Sequence, residues 1–311
     1  MKIDGDSLRH FESIQKRRAA LPPAPSIEQM RRFEQETKNL MTTGIIPVSD
    51  VSDISVPTRA ASLPARTYQD KPGKDKPCLL WFHGGGHVLG TLDSNDDLCR
   101  LIASTLDMLV IGATYRLAPE HPFPAAFNDA IDVTSYVLAN SEQLGIDPQR
   151  FAIGGASAGG NLAAAVCQHD RQAHRFSIRR QVLVYPVLDM TFSSKAHETF
   201  SDGYQLTSEM MRWFRQHYVP SGVAFDDPRL SPLYVEQCSD LPPAHIITAE
   251  LDPVRSDGES YAARLSEAGV DVDFARYEGV MHGFFSDFPV VQKGRLAVAE
   301  VCAGLKSAFN L

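Results

Sequence analysis

From residue 78 onward, short apolar runs alternate with stretches of helical spacing. The runs at residues 78–82, 108–113, 151–153, 182–185 and 245–248 have the length of strands buried on both faces. Between or after them, apolar residues recur at helical intervals over residues 95–106, 125–138, 161–169, 256–268 and 295–309. This alternation predicts an α/β fold, a doubly wound and mostly parallel sheet with helices on both faces. Ligands of such sheets bind outside the carboxyl ends of the strands, so the residues that follow each run carry the candidate chemistry.

Two segments depart from the rhythm. Residues 8–19 and 27–41 carry helical patterns separated by the breaker LPPAP, with Ser26 placed to cap the second. Ile27, Met30, Phe33 and Leu40 fall mostly on one face, which predicts a packed N-terminal extension rather than a partner-binding helix. Residues 48–68 alternate around 58–62, the pattern of a leading antiparallel hairpin. Residues 191–220 supply helical spacing without a strand and are rich in Met, Trp, Phe and Tyr. Inserted between two strands of the sheet, this segment is expected to project as a lid whose aromatics form its own core.

Composition narrows the function classes. The 311 residues are 43% apolar and 22% charged, ordinary for a globular protein with a sizeable core, and the length fits one large α/β domain or two small ones. A formal net charge of −8 argues against nucleic acid or an anionic membrane as the main partner. The basic clusters at Lys16, Arg17, Arg18 and at Arg31, Arg32 are short and read as solvated helix faces. Cys78, Cys99, Cys167, Cys238 and Cys302 are odd in number and lack C-x-x-C spacing, which disfavours a disulfide framework or a zinc site and fits a reducing cytosol. The opening MKIDGDSLRH has no apolar core of the signal-peptide kind, and no run approaches a membrane span. A soluble, cytoplasmic protein is expected.

The chemistry centres on FAIGGASAGGN at 151–161. Gly155, Ala156, Ser157, Ala158 and Gly159 fit G-x-S-x-G, the turn that lifts a serine between a strand and a helix, and the flanks read as that strand and that helix. A serine hydroxyl needs a histidine to take its proton and a carboxylate to hold the histidine, in the chain order serine, acid, histidine. Asp252 follows the run at 245–248, and His282 follows a further run at 270–275, so both emerge on the edge that carries Ser157. Taken alone, Asp252 in Asp-Pro reads equally well as a helix N-cap. Gly84, Gly85 and Gly86 follow His83 directly after LLWF. This HGGG places backbone N–H donors for an oxyanion at Gly84 and Gly85, beside that of Ala158, with Gly86 allowing the bend and His83 bracing the loop.

HGGG at 83–86, YRLAPEHPFPAA at 115–126, GASAGGNLAA at 155–164, YPVLDM at 185–190, DPVRSDGE at 252–259 and MHGF at 281–284 occur in order. Together they resemble the hormone-sensitive-lipase group of α/β-hydrolase esterases, and HVLGTLDSNDDLCRLIAS is similar to bacterial acetyl esterases of that group. The resemblance implies a catalytic domain at 46–190 and 226–311 on a mixed eight-stranded sheet, under a cap built from residues 1–45 and 191–225. It implies no metal or cofactor, a small-molecule ester with a short acyl chain as substrate, and leaves a homodimer open. It carries over Ser157 as nucleophile, His282 as general base then acid, Asp252 as orienting acid, and Gly84, Gly85 and Ala158 as oxyanion donors. Two positions depart from the group's pattern. Ala156 stands where an acidic residue or threonine is usual, and His87 stands where an aromatic residue often follows HGGG, placing a titratable group near the acyl site.

The sequence therefore predicts a carboxylic ester hydrolase working through an acyl-enzyme. A histidine base implies activity rising through about pH 6 to 7, and a shifted profile would implicate His87 or burial. An amidase or carbamoyl hydrolase could use the same groups. A non-catalytic binding protein is disfavoured, because all three triad members are present.

Overall fold

The computed structural model describes residues 2–41, 44–171 and 175–311; Met1, Thr42 and Thr43 of the expected N-terminal segment lie outside them. The predicted hairpin is β1 (Asp50–Pro57) and β2 (Ser62–Gln69). It is followed by β3 (Lys76–Phe82), β4 (Leu109–Ala113), β5 (Ile146–Ala156), β6 (Ile178–Val184), β7 (Ala244–Leu251) and β8 (Val272–Met281). Their order in one eight-stranded sheet is β1-β2-β4-β3-β5-β6-β7-β8. The first two pairings are antiparallel and all later ones parallel.

The helices are α1 (Gly5–Arg18), α2 (Ile27–Met41), α3 (Asp96–Thr105), α4 (Ala125–Ala139), α5 (Ser141–Leu144), α6 (Ala158–Asp170), α7 (Lys195–Thr199), α8 (Ser208–Tyr218), α9 (Arg255–Glu267) and α10 (Gln292–Phe309). Strand alternation divides the core between the two faces of the sheet. On β3, Leu80 and Phe82 join a cluster with α4, α6 and α9, whereas Leu79 and Trp81 join one with α3 and α10. All four are essentially inaccessible, as a central strand covered by helices on both faces requires.

Ser26 closes a capping box on α2: its Oγ accepts from Gln29 N at 3.2 Å while its own N–H donates to Gln29 Oε1 at 2.8 Å. Met30 packs inward as the periodicity predicts, but Leu40 is 68% exposed. In the last turn Lys38 and Met41 are the buried residues instead. Segment 191–220 contains α7 and α8, the latter capped by Thr207 Oγ1 on Met210 N. No helix among the described residues is long and apolar enough to cross a membrane.

Candidate active site

Ser157 lies between the end of β5 and the start of α6, with φ 56° and ψ −117°, a left-handed conformation that is strained for any residue with a side chain. Its N–H donates to Val184 O on β6 at 2.9 Å, which fixes the turn against the sheet. The turn is tight enough to demand glycine at two positions. A Cβ on Gly159 would stand 2.0 Å from Phe82 O, and one on Gly155 would stand 2.3 Å from the Gly159 carbonyl carbon.

Asp252 follows β7 and His282 follows β8, and the sheet brings both to Ser157. His282 Nε2 lies 2.9 Å from Ser157 Oγ, and His282 Nδ1 lies 2.7 Å from Asp252 Oδ2. Asp252 is fully buried, and its other oxygen, Oδ1, accepts from Val254 N at 3.0 Å. The N-cap reading of Asp252 is not met: α9 begins at Arg255 with Val254 in the N-cap position, and the bond from Val254 N to Asp252 Oδ1 closes a turn ahead of the helix. Tyr185, directly after β6, packs its ring 4.6 Å from the His282 ring, and its hydroxyl lies 3.1 Å from Ser286 Oγ.

The glycine loop after β3 passes beside the serine. A Cβ on Gly84 would lie 3.0 Å from Ala156 O and 3.5 Å from Ser157 Cβ, so the Gly84 backbone borders the reacting position directly. Gly85 has φ +110° and would clash with Leu89 O. Gly86 does more than allow a bend: a Cβ there would fall 2.3 Å from the ring of Phe214 on α8. Ala158 opens α6, where the first N–H groups have no intrahelical acceptor and point outward. His83 donates from Nδ1 to Gly84 O at 2.7 Å and stacks on Tyr115 at 4.4 Å, and burial pushes its pKa down to about 4. It is a neutral brace.

His87 differs from its sequence reading as a titratable group near the acyl site. The ring is fully buried and stacks face to face on Tyr218 of α8, 3.9 Å between centroids and 6° between planes. Burial, with His83 adding to it, pushes its pKa down to about 3, so it stays neutral through the working range. The folded value lies below the ordinary histidine value of about 6.5, so the penalty for protonating the native state begins as pH falls below about 6.5 and grows toward pH 3. His87→Phe is expected to flatten the loss of stability between pH 6.5 and 4, by up to roughly 1.4 kcal/mol per pH unit. Urea melts across that range check this; an unchanged slope would contradict it.

Several residues that hold the site together carried no individual signal in the sequence. In YRLAPEHPFPAA, the Tyr115 hydroxyl donates to His83 O at 2.9 Å, and Arg116 binds the fully buried Asp129 through its backbone N–H and guanidinium. Arg31 of α2 reaches the same region, donating to Val88 O and Ala118 O at 3.0 Å and pairing with Glu120. Beyond His282, the Asp287 carboxylate lies 3.3 Å from His10 Nε2 of α1 and accepts from Gln205 Nε2 at 3.2 Å. Lys38 of α2 donates to Ser286 O at 3.1 Å. Burial acts to lower the pKa of His10, but Asp287 outweighs it and the net direction is up. Thus α1, α2 and the segment before α8 all grip the short turn that carries His282.

Above Ser157 and His282 lies a cavity of about 290 Å³, lined by α2, the glycine loop and α8. Phe192, Leu206, Met211 and Phe214 form much of its apolar wall.

The alpha/beta hydrolase fold family matches residues 79–286. The chain is 41% identical over 269 residues to the carboxylic ester hydrolase LipN of Mycobacterium tuberculosis, covering 84% of this chain and 71% of that protein. It is 34% identical to an ethyl acetate hydrolase of Pseudomonas putida, covering 98% of this chain and 99% of that one. The crystal structure of an esterase from Pyrobaculum calidifontis superposes with a TM-score of 0.91 at 35% identity, over 98% of each chain. With the six sequence motifs and the eight-stranded sheet, these likenesses establish that the chain belongs to the α/β-hydrolase fold family, in its hormone-sensitive-lipase group of carboxylic ester hydrolases.

Proposed function

We propose that the protein hydrolyses short- to medium-chain carboxylic esters through an acyl-enzyme on Ser157. The observation that carries this reading is the continuous chain of contacts from Ser157 Oγ to His282 Nε2 and from His282 Nδ1 to Asp252 Oδ2, at 2.9 and 2.7 Å, opening into the cavity. Asp252 accepts a hydrogen bond from the Nδ1–H group, which keeps the proton on Nδ1 and leaves Nε2 free to act as base. Ser157 Oγ attacks the ester carbonyl as His282 takes its proton, and the oxygen that gains charge is met by the N–H groups of Gly84, Gly85 and Ala158. His282 returns the proton to the departing alcohol. It next deprotonates water, whose attack on the acyl carbon releases the acid and restores Ser157.

The cap in this reading is made of residues 1–45 and 191–225 over a catalytic domain of residues 46–190 and 226–311. The contacts of His10, Lys38 and Gln205 with the turn after His282 support it. Closing the cavity with apolar side chains excludes water while the ester is bound and suits a small acyl group.

Steady-state hydrolysis of p-nitrophenyl esters from acetate to decanoate tests this function. The expected profile peaks between acetate and hexanoate and collapses at decanoate. Activity absent at every chain length, or matching amides turned over as well as esters, would overturn it, the latter in favour of an amidase.

A further inference from the structure

The cavity has two unlike walls. The side built by residues 190–218 is dominated by Met, Phe and Leu, whereas α2 sets Glu34, Thr37 and Lys38 among Met30, Phe33 and Met41. Their i, i+3, i+4 spacing puts them on one helix face, and Ser94 and Asn95, just before α3, line the cavity with them. Glu34 is held by Ser94, whose hydroxyl donates to Oε1 at 3.2 Å, and burial raises its carboxyl pKa. Thr37 Oγ1 is buried and has no hydrogen-bond partner among the described residues, although a helical threonine can usually satisfy itself on the carbonyl one turn back. Lys38 also holds the turn after His282, but a cavity meant for alkyl chains alone gains nothing from an unpaired Thr37 hydroxyl on the same helix face as the Glu34 carboxyl. Buried polar groups penalise any complex that leaves them unpaired and reward one that pairs them.

We propose that the part of the substrate lying along α2 bears a hydroxyl group, which donates to the Glu34 carboxyl and accepts from Thr37 Oγ1. The preferred substrates are then hydroxyl-bearing esters rather than simple alkyl esters. A charged group fits less well, because Lys38 and Arg18 face the cavity against a cation, and Glu34 and Asp287 against an anion. The inference rests on the esterase reading above and names the substrate class of that same site.

The test uses ester pairs that differ by one hydroxyl. On the alcohol side these are ethyl and 2-hydroxyethyl, propyl and 3-hydroxypropyl, and butyl and 4-hydroxybutyl butyrate. On the acyl side they are ethyl butyrate and 3-hydroxybutyrate, and ethyl hexanoate and 6-hydroxyhexanoate. One or more pairs is expected to favour the hydroxylated member by about 3- to 10-fold in kcat/KM, chiefly through KM. The preference is expected to fall in Thr37→Val, return in Thr37→Ser and vanish in Glu34→Leu combined with Thr37→Val. Each preference is a ratio within one protein, so partial loss of folded enzyme cancels. Hydrolysis of the alkyl members with no preference in any pair, or a preference that persists in the double variant, overturns the inference and leaves the esterase reading intact. Failure to hydrolyse either member of every pair overturns both.

Discussion

Ser157→Ala is expected to lower kcat on p-nitrophenyl butyrate by about 10⁴- to 10⁶-fold while the protein stays folded. The substitution removes only the Oγ atom that lies 2.9 Å from His282 Nε2. The tight turn around it depends on Gly155, Gly159 and the bond from its backbone N–H to Val184 O, all of which remain. KM should change little, since the cavity walls are untouched. His282→Ala is expected to cost a similar factor, and the double variant no more than either single one, because the two groups act as a unit. Single-turnover and steady-state rates on the three variants check this; effects that multiply would mean that the two residues do not share a step.

Asp252→Asn carries the second-largest expected effect, a fall in kcat of about 10³- to 10⁴-fold with binding nearly intact. Asn can still accept from Val254 N through its carbonyl oxygen, as Asp252 Oδ1 does now. Its amide then faces His282 Nδ1 with a donor in place of an acceptor, which favours the tautomer carrying its proton on Nε2, where it cannot accept one from Ser157. Asp252→Ala should lose comparable activity and, in addition, on the order of 1 kcal/mol of stability from the lost hydrogen bond to Val254 N. Comparing the two variants by kcat and by thermal melting separates the orienting role from the part Asp252 plays in holding the turn before α9. Equal activity of Asp252→Asn and the parent would remove Asp252 from the mechanism.

Strands β3 to β7 were legible because each carries a short apolar run, and the order serine, acid, histidine put three reactive groups near strand ends. The edge strand β8 carries Asp273, Arg276 and Glu278 and runs to Met281, six residues beyond the expected 270–275, because one of its sides faces no neighbouring strand. What escaped the reading depends on contacts between distant segments. His87 looks titratable in sequence because HGGGH gives no sign of Tyr218, 131 positions later, stacking on it. Gly86 looks like a simple bend for the same reason, its space being required by Phe214. The turn at Ser286 and Asp287 holds residues from three separate segments, His10, Lys38 and Gln205, and no local pattern marks such a meeting point. Leu40 misled because helical periodicity gives the direction of a side chain but not whether a surface stands opposite it.

Trapping the covalent bond that Ser157 is proposed to form with substrate tests the mechanism most directly. The enzyme would be incubated with a short-chain p-nitrophenyl alkylphosphonate, digested and mapped by mass spectrometry. One phosphonyl group per chain on the peptide holding Ser157, with release of one equivalent of p-nitrophenol and parallel loss of esterase activity, is the predicted result. A label on another residue, or full labelling of Ser157 with activity retained, would contradict the account.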